Sequence, residues 1–310
     1  MPLSLRRGRV SAIRERVEGL VRLEVDGVAC VAYPSVTGPV ALDDEVLVNV
    51  QARALELGSG GFDVLYANLT RGLGLGADDG AHVMVLPYTP LQHARRFAEE
   101  AGEAEADLDG MPVVCCSLHS QVAPVCAALA GVRVAYVQLA GGALPVSLSD
   151  TLRVLRERGL VAASAAVAPC FDGDAQCVSV ASALRRARPG HDAVVCAIGP
   201  GIVGTGTRFG HGGLAAAEAA NTALALGGRP VVAARVSGAD ARDRHRGVSH
   251  HTEAVLALVR GDVVIGEDGS GWREACAGLP LSHMGRGPDD DPEFFEAAFA
   301  AGLAARKLLG

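Results

Sequence analysis

From residue 82 onward, short runs that are apolar at nearly every position alternate with longer segments of helical period. The first pairs are HVMVLP (82–87) with LQHARRFAEEA (91–101), PVVCCSL (112–118) with VAPVCAALA (122–130), and VRVAYVQL (132–139) with LSDTLRVLRERG (148–159). They continue as VAASAAVAP (161–169) with CVSVASALRRAR (177–188), DAVVCAI (192–198) with LAAAEAANTALALG (214–227), and PVVAARV (230–236) with TEAVLALVR (252–260). A strand that is apolar on both faces needs cover on both, and a parallel crossover needs a helix. The alternation therefore predicts an α/β fold with a doubly wound, mainly parallel sheet over residues 81–284.

The flanking segments read differently. Residues 1–50 hold Val-rich pieces, such as LVRLEV, VACVAYP and DEVLVNV, separated by turns with Gly or Asp, which predicts a small β-barrel-like domain. Residues 51–80 form a Gly-rich connector, LGSGGFDVLYANLTRGLGLGADDG at its densest. In residues 285–310, Asp291 and Pro292 mark a helix start, while Arg306 and Lys307 suit the last turn of a C-terminal docking helix.

Composition excludes several classes. The net charge is -7, so no global positive field gathers nucleic acid or an anionic membrane, and neither is expected as a partner. The basic segment RRGRVSAIRER lacks the interleaved aromatic residues of a stacking platform and reads as a solvated face. Residues 110–132 carry no charge, but Pro112, His119, Gln121 and Pro124 interrupt them, so a strand-loop-helix unit accounts for them better than a membrane span. Eight cysteines without a CxxC pair, together with an N-terminus lacking a signal-peptide core, point to reduced thiols in a cytoplasmic protein. Homo-oligomerisation is compatible with all of this.

In an open parallel sheet, ligands bind beyond the carboxyl ends of the strands. The loops expected at that end carry the reactive residues, and those at the other end, such as AGEAEADLDGM and RARPGHD, are ordinary turns. Gly199, Gly201 and Gly204 stand in GxGxxG spacing after DAVVCAI. With Thr205, Gly206 and Thr207 they predict a phosphate-binding loop, and NADP with Arg235 on its 2'-phosphate is the less favoured occupant. The loop 237–252 gathers Asp240, Arg242, Arg244, His245, His250 and His251, with Ser249 placed to cap the next helix. Imidazoles at a helix start are kept neutral and suit a general base, and arginines suit anionic oxygens. Asp172 and Asp174, or His119, are candidates to orient that base or to join a divalent metal. Ser117 and His119 lie two residues apart without a GxSxG elbow, a spacing common by chance. Cys170 is the one cysteine expected near these loops.

The segments YANLTRG (66–72), PYTPLQ (87–92), FDGDAQ (171–176), IGPGIVGTGTRFG (198–210) and ADARDRHRGVSHHT (239–252) together resemble a bacterial protein family of unknown function over nearly the whole chain. The resemblance implies no activity, cofactor or catalytic residue. The residues themselves lead to an expected enzyme, a hydrolase or transferase, binding a small anionic or phosphorylated ligand at the carboxyl ends of the strands. A non-catalytic ligand sensor with a partner-binding β domain and an NADP-dependent oxidoreductase using GPGIVG are the alternatives.

Overall fold

Alternation of inward apolar and outward polar residues sets the first strands. In a computed structural model describing residues 3–56, 60–76, 80–102 and 107–310, the chain opens with β1 (Leu5–Val17). β1 is long enough to serve two neighbours, pairing through its second half with β2 (Leu20–Val25) and through its first half with β4 (Glu45–Asn49). Register shifts after Val10 and Ile13 bend it between the two, as bulges do. β3 (Val28–Ala32) and β5 (Asp63–Asn68) run parallel and complete a closed barrel of order β1-β2-β3-β5-β4. With α1 (Pro34–Thr37) between β3 and β4, this is a five-stranded barrel of the OB type. Val10, Leu23, Val25, Cys30, Val46, Val48 and Leu65 fill it. A single turn, α2 (Gln51–Ala54), precedes β5.

Two boundaries differ from the sequence reading. The fifth barrel strand comes from within the Gly-rich connector, so the barrel does not end near residue 50, and the first compact unit extends to Arg96. The stretch HVMVLP–LQHARR is a β-hairpin of β6 (Val83–Val85) and β7 (His93–Arg95), because Pro87, Pro90 and the left-handed backbone of Leu86 and Tyr88 turn the chain before a helix can start. Residues 57–59 and 77–79 of the connector and 103–106 of the loop 101–111 lie outside the described residues.

The second unit starts at Phe97. Its parallel strands are β8 (Pro112–Cys116), β9 (Val134–Leu139), β10 (Ala163–Val167), β11 (Ala175–Cys177), β12 (Ala193–Ile198), β13 (Arg229–Ala233) and, after the antiparallel pair β14 (Val236–Ser237) and β15 (Gly247–Val248), β16 (Val264–Ile265). The sheet order is β11-β10-β9-β12-β8-β13-β16. Side chains alternate between two cores: Val114, Cys116, Tyr136 and Val195 face one layer, and Val113, Cys115, Val137 and Cys196 the other. The first layer is α3 (Val122–Ala128), α4 (Asp150–Glu157), α8 (Trp272–Ala275) and α9 (Pro292–Lys307); the second is α5 (Val180–Ala187), α6 (Ala215–Ala225) and α7 (His250–Leu258). This is the doubly wound arrangement. The C-terminal helix is a core element: Phe294, Phe295 and Phe299 are buried, and Gly302 lets it approach α3, where a Cβ would stand 2.5 Å from the Val125 carbonyl oxygen. Residues 110–132 fold as β8, a turn and α3, and among the described residues no helix is long and apolar enough to cross a membrane. All eight cysteines are unpaired and buried.

Candidate functional site

The chain leaves β8 toward one face of the sheet and β12 toward the other, so their carboxyl ends open a crevice. The loop after β12 is shaped by glycines that close on protein. A Cβ on Gly199 would meet the Ala143 carbonyl oxygen at 2.0 Å, and one on Gly212 would meet that of Gly141 at 2.0 Å. These contacts lock the loops after β9 and β12 together and leave no room for a pyrophosphate at Gly199; only Gly201 (φ 72°) is open. Further on, Gly204 bridges to His211, the Thr205 amide donates to the Gly210 carbonyl at 2.7 Å, and the hydroxyls of Thr205 and Thr207 meet at 2.9 Å. The guanidinium carbon of Arg244 lies 3.7 Å from where a Gly206 Cβ would be, over this exposed turn. The Gly-rich loop and the Arg/His loop therefore share one rim.

The antiparallel pair β14–β15 pinches off residues 238–246 and returns the chain to Ser249, whose hydroxyl caps α7 by accepting from the His251 amide at 3.2 Å. Four imidazoles meet there. His211, delivered by the Gly-rich loop, stacks on His251 with ring centres 3.6 Å apart, and His245 and His250 lie 4.8 Å from each other. His245 is pinned through Nδ1 to the Ser249 hydroxyl at 2.7 Å. Burial, followed by the Arg235 and Arg242 charges, pushes His245 down to about 3; burial, then His211 and Arg235, pushes His251 down to about 2. His250 is lowered by burial and then Arg244, and His211 by burial and then His250. Both ring nitrogens of His211 and Nε2 of His250 are buried without a partner.

Beside them lies a charge network. Arg235, only 1% exposed, donates to His251 Nδ1 at 3.2 Å and to Asp240 at 3.3 Å. Arg242 grips the same carboxylate with two bonds of 2.9 and 2.8 Å, and Arg286 reaches it at 3.4 Å while bonding Asp291 at 3.0 Å. Asp291 also accepts from the Ser237 hydroxyl at 2.7 Å. Hydrogen bonding from Arg242 holds Asp240 well below the usual carboxylate range, and burial brings Arg235 down to about 10. Within this network three guanidiniums share two carboxylates, an excess of one positive charge.

One ring nitrogen each of His245, His250 and His251 lies within 4.8 Å of the others, which raises the question of a metal ion. Two observations weigh against that fit. A tetrahedral zinc site with ligands at ~2.0–2.1 Å brings its donors to about 3.3 Å of one another, tighter than the 4.8 Å over which these three spread. His251 Nδ1 accepts from Arg235, so its Nε2 carries the proton and has no lone pair to offer. The positive charges of Arg235, Arg242 and Arg244 also act on these histidines and repel a cation.

The remaining expected residues lie elsewhere. Asp174 is held by Arg156 at 2.7 Å and by the Ser164 amide at 2.8 Å, and Asp172 accepts from Ser147 at 3.0 Å. Both follow β10, which β9 separates from β12 and which β9, β12 and β8 separate from β13, and their hydrogen bonds go to Ser147, Arg156 and Ser164. They do not reach the proposed base. His119 is buried, donating from Nδ1 to the Ile198 carbonyl at 3.3 Å and accepting at Nε2 from Ser149 at 2.7 Å, and burial pushes it down to about 4. Cys170 is buried, its thiol raised by burial to about 12, and is no nucleophile.

A cleft of about 240 Å³ opens between the ends of β8 and β12, lined by Leu118, His119, Ser120, Ile202, His283 and Met284 among others. In it Ser120 Oγ stands 3.2 Å from Nδ1 of His283, and the His283 ring stacks on Phe294 at 3.7 Å. Burial, then Arg235 and Arg286, pushes His283 down to about 3. The sequence reading missed His211, Arg286, Asp291 and His283. His211 alone carried a local signal, lying in the Gly-rich loop it closes.

No curated protein matches the chain. Residues 29–273 match the family described as a protein of unknown function, DUF3866, and the chain belongs to that family.

Proposed function

We propose that the chain is an enzyme of the hydrolase or transferase type, acting on a small phosphorylated or carboxylated ligand at the carboxyl rim of the parallel sheet. One observation carries this reading: a neutral imidazole with an unpartnered nitrogen, His250 Nε2, lies beside guanidiniums whose bonded network has more positive than negative charge. An anion supplies the missing negative charge, bound by Arg244 above the Thr205–Thr207 turn and by the exposed edge of Arg242. His250 accepts or returns the proton at the reacting group. His251, locked against Arg235 and His211, holds the cluster in place. Eight unpaired, buried thiols suit a reducing cytosol.

Calorimetric titration with inorganic phosphate, pyrophosphate and citrate tests the binding half, and a panel of phosphomonoesters and acyl phosphates tests the chemistry. His250→Asn is expected to keep anion binding and lose about 10²–10⁴-fold in turnover. Absence of heat and of thermal stabilisation with every anion overturns the reading.

A further inference from the structure

The cleft beside the histidine cluster holds chemistry that the anion site does not use. Ser120 sits in the turn between β8 and α3, and that turn is fixed to the neighbouring strand: Gln121 accepts from the Leu118 amide at 3.0 Å and donates to the carbonyls of Ala233 at 2.9 Å and Ala234 at 3.1 Å. The Ser120 hydroxyl lies within hydrogen-bond reach of His283 Nδ1. His283 is 2% exposed and its ring lies flat on Phe294, with 1° between the planes, so its direction is set. Packing alone does not explain the pair. A buried histidine kept for packing has both ring nitrogens satisfied, whereas His283 Nε2 has no partner. Asp291, whose Oδ1 is also buried and unpartnered, forms no hydrogen bond with His283, but its charge acts on the ring and favours the charged form. Met284, next in the chain, is held at φ 51°, a conformation a methionine adopts only under constraint, and such residues gather at working sites.

We infer that Ser120 is a catalytic nucleophile activated by His283, whose ring is positioned by Phe294 and whose charged form is steadied by the nearby charge of Asp291, and that the cleft takes the acyl group of a small ester or thioester. In the first step the Ser120 hydroxyl proton passes to His283 Nδ1 as Oγ bonds the acyl carbon; the bond to the alcohol or thiol then breaks, and that leaving group takes the proton from His283. Water attacks the acyl-serine in the second step, giving its proton to His283, which returns it to Ser120 Oγ as the carboxylic acid departs. The lining argues for an acyl rather than a phosphoryl group, since Leu118, Ala123, Ile202, Pro280 and Met284 present apolar surface. At about 240 Å³ the space equals roughly eight water volumes of ~30 Å³, the size of a short acyl chain. The inference stands on this pair and this cleft, independently of the anion site.

The test is reaction of the full chain with a fluorophosphonate probe, followed by peptide mapping, alongside hydrolysis of p-nitrophenyl butyrate. The probe is expected on Ser120, labelling is lost in Ser120→Ala, and its rate falls at least tenfold in His283→Gln. Should His283→Gln fail to fold, Ile202→Trp fills the cleft without touching the pair and is expected to block both labelling and butyrate hydrolysis. A wild-type chain unlabelled at Ser120, or labelling unchanged in folded His283→Gln or in Ile202→Trp, overturns the inference. Labelling needs no anion: a chain labelled on Ser120 that binds no anion sinks the preceding proposal and keeps this one, and the reverse result does the opposite.

Discussion

Two parts of this molecule are rich in arginine, and they treat it in opposite ways. On the barrel, Arg6 pairs with Asp26, Arg7 with Glu45, Arg14 with Glu24, Arg53 with Asp63 and Arg71 with Asp44, with Arg6 also within 3.9 Å of Asp63, so that five guanidiniums face five carboxylates, and the arginine side chains are a third or more exposed. At the sheet rim Arg235, Arg242 and Arg286 converge on one buried aspartate, Arg286 alone reaches a second, and they lie among imidazoles kept neutral. Matched pairs with an exposed partner are worth little, whereas at the rim a fully buried arginine belongs to a network whose positive charges outnumber its carboxylates. What separates the barrel face from the proposed site is whether the charges close on themselves.

The sharpest way to break this contrast is to remove Asp240. Without it Arg235 is left buried with no carboxylate, a state that costs about 3–5 kcal/mol. Asp240→Ala is therefore expected to lose that much stability in urea unfolding, and Glu45→Ala, whose partner simply returns to water, less than about 1 kcal/mol. Equal losses would mean that the rim is as well solvated as the barrel.

Acid separates the two units next. Folded His119 has its pKa lowered to about 4 from an ordinary 6.5, so between those values the unfolded chain binds the proton and the folded chain does not. Its contribution is fully present above pH 6.5, is lost as pH falls, and levels off near pH 4, amounting to roughly 3 kcal/mol. In the barrel, burial works to raise Asp44, but hydrogen bonds from Asn68, the Ala41 amide and Arg71 outweigh it and lower the group overall. That contribution holds above the ordinary carboxylate range and goes only as pH drops through the folded value. Amide hydrogen exchange at pH 5 is expected to accelerate in β8 and β12 and not in β1–β5. Exchange that rises equally in both units counts against a buried neutral His119.

These contrasts follow what the sequence makes legible. Continuous apolar runs announce parallel strands because both faces are covered, so β8, β9, β10, β12 and β13 could be read directly. β5 could not, since DVLYAN sits between glycine clusters and shows its apolar face only once the barrel closes on it. The hairpin β6–β7 was masked by LQHARRFAEEA, whose composition favours a helix that the preceding prolines forbid. At the rim, residues close in sequence, such as Asp240 through His251, were visible as a group. The Ser120–His283 pair spans 163 positions and is created by α9 carrying Phe294 beneath the imidazole, so no local spacing records it. Asp172 and Asp174 show the converse: loops at the same end of the sheet need not meet, because strand order decides which are neighbours.

A smaller effect sharpens the comparison at single arginines. Arg244→Ala removes an exposed guanidinium from above the Thr205 turn and is expected to weaken phosphate binding about tenfold, roughly 1.4 kcal/mol, with little change in stability. Arg14→Ala, which removes a charge that Glu24 already occupies, is expected to leave phosphate affinity where it was. Titration calorimetry of the two variants decides between a specific anion contact and a general response to lost positive charge, for which both would weaken alike.

The smallest expected effect is the coupling within one barrel pair. Arg7 and Glu45 are 66% and 41% exposed, with a contact of 2.6 Å. Holding two long side chains in water in one geometry offsets most of their attraction, so a double-mutant cycle of Arg7→Ala and Glu45→Ala is expected to give a coupling below about 1 kcal/mol that shrinks further in salt. The same cycle on Arg235 and Asp240, both about 2% exposed at the side chain, is expected to exceed it severalfold and to resist salt, because screening ions cannot enter. A salt-resistant barrel pair would show that its arginines also serve a desolvated surface. The difference between the units would then lie in the imidazoles alone.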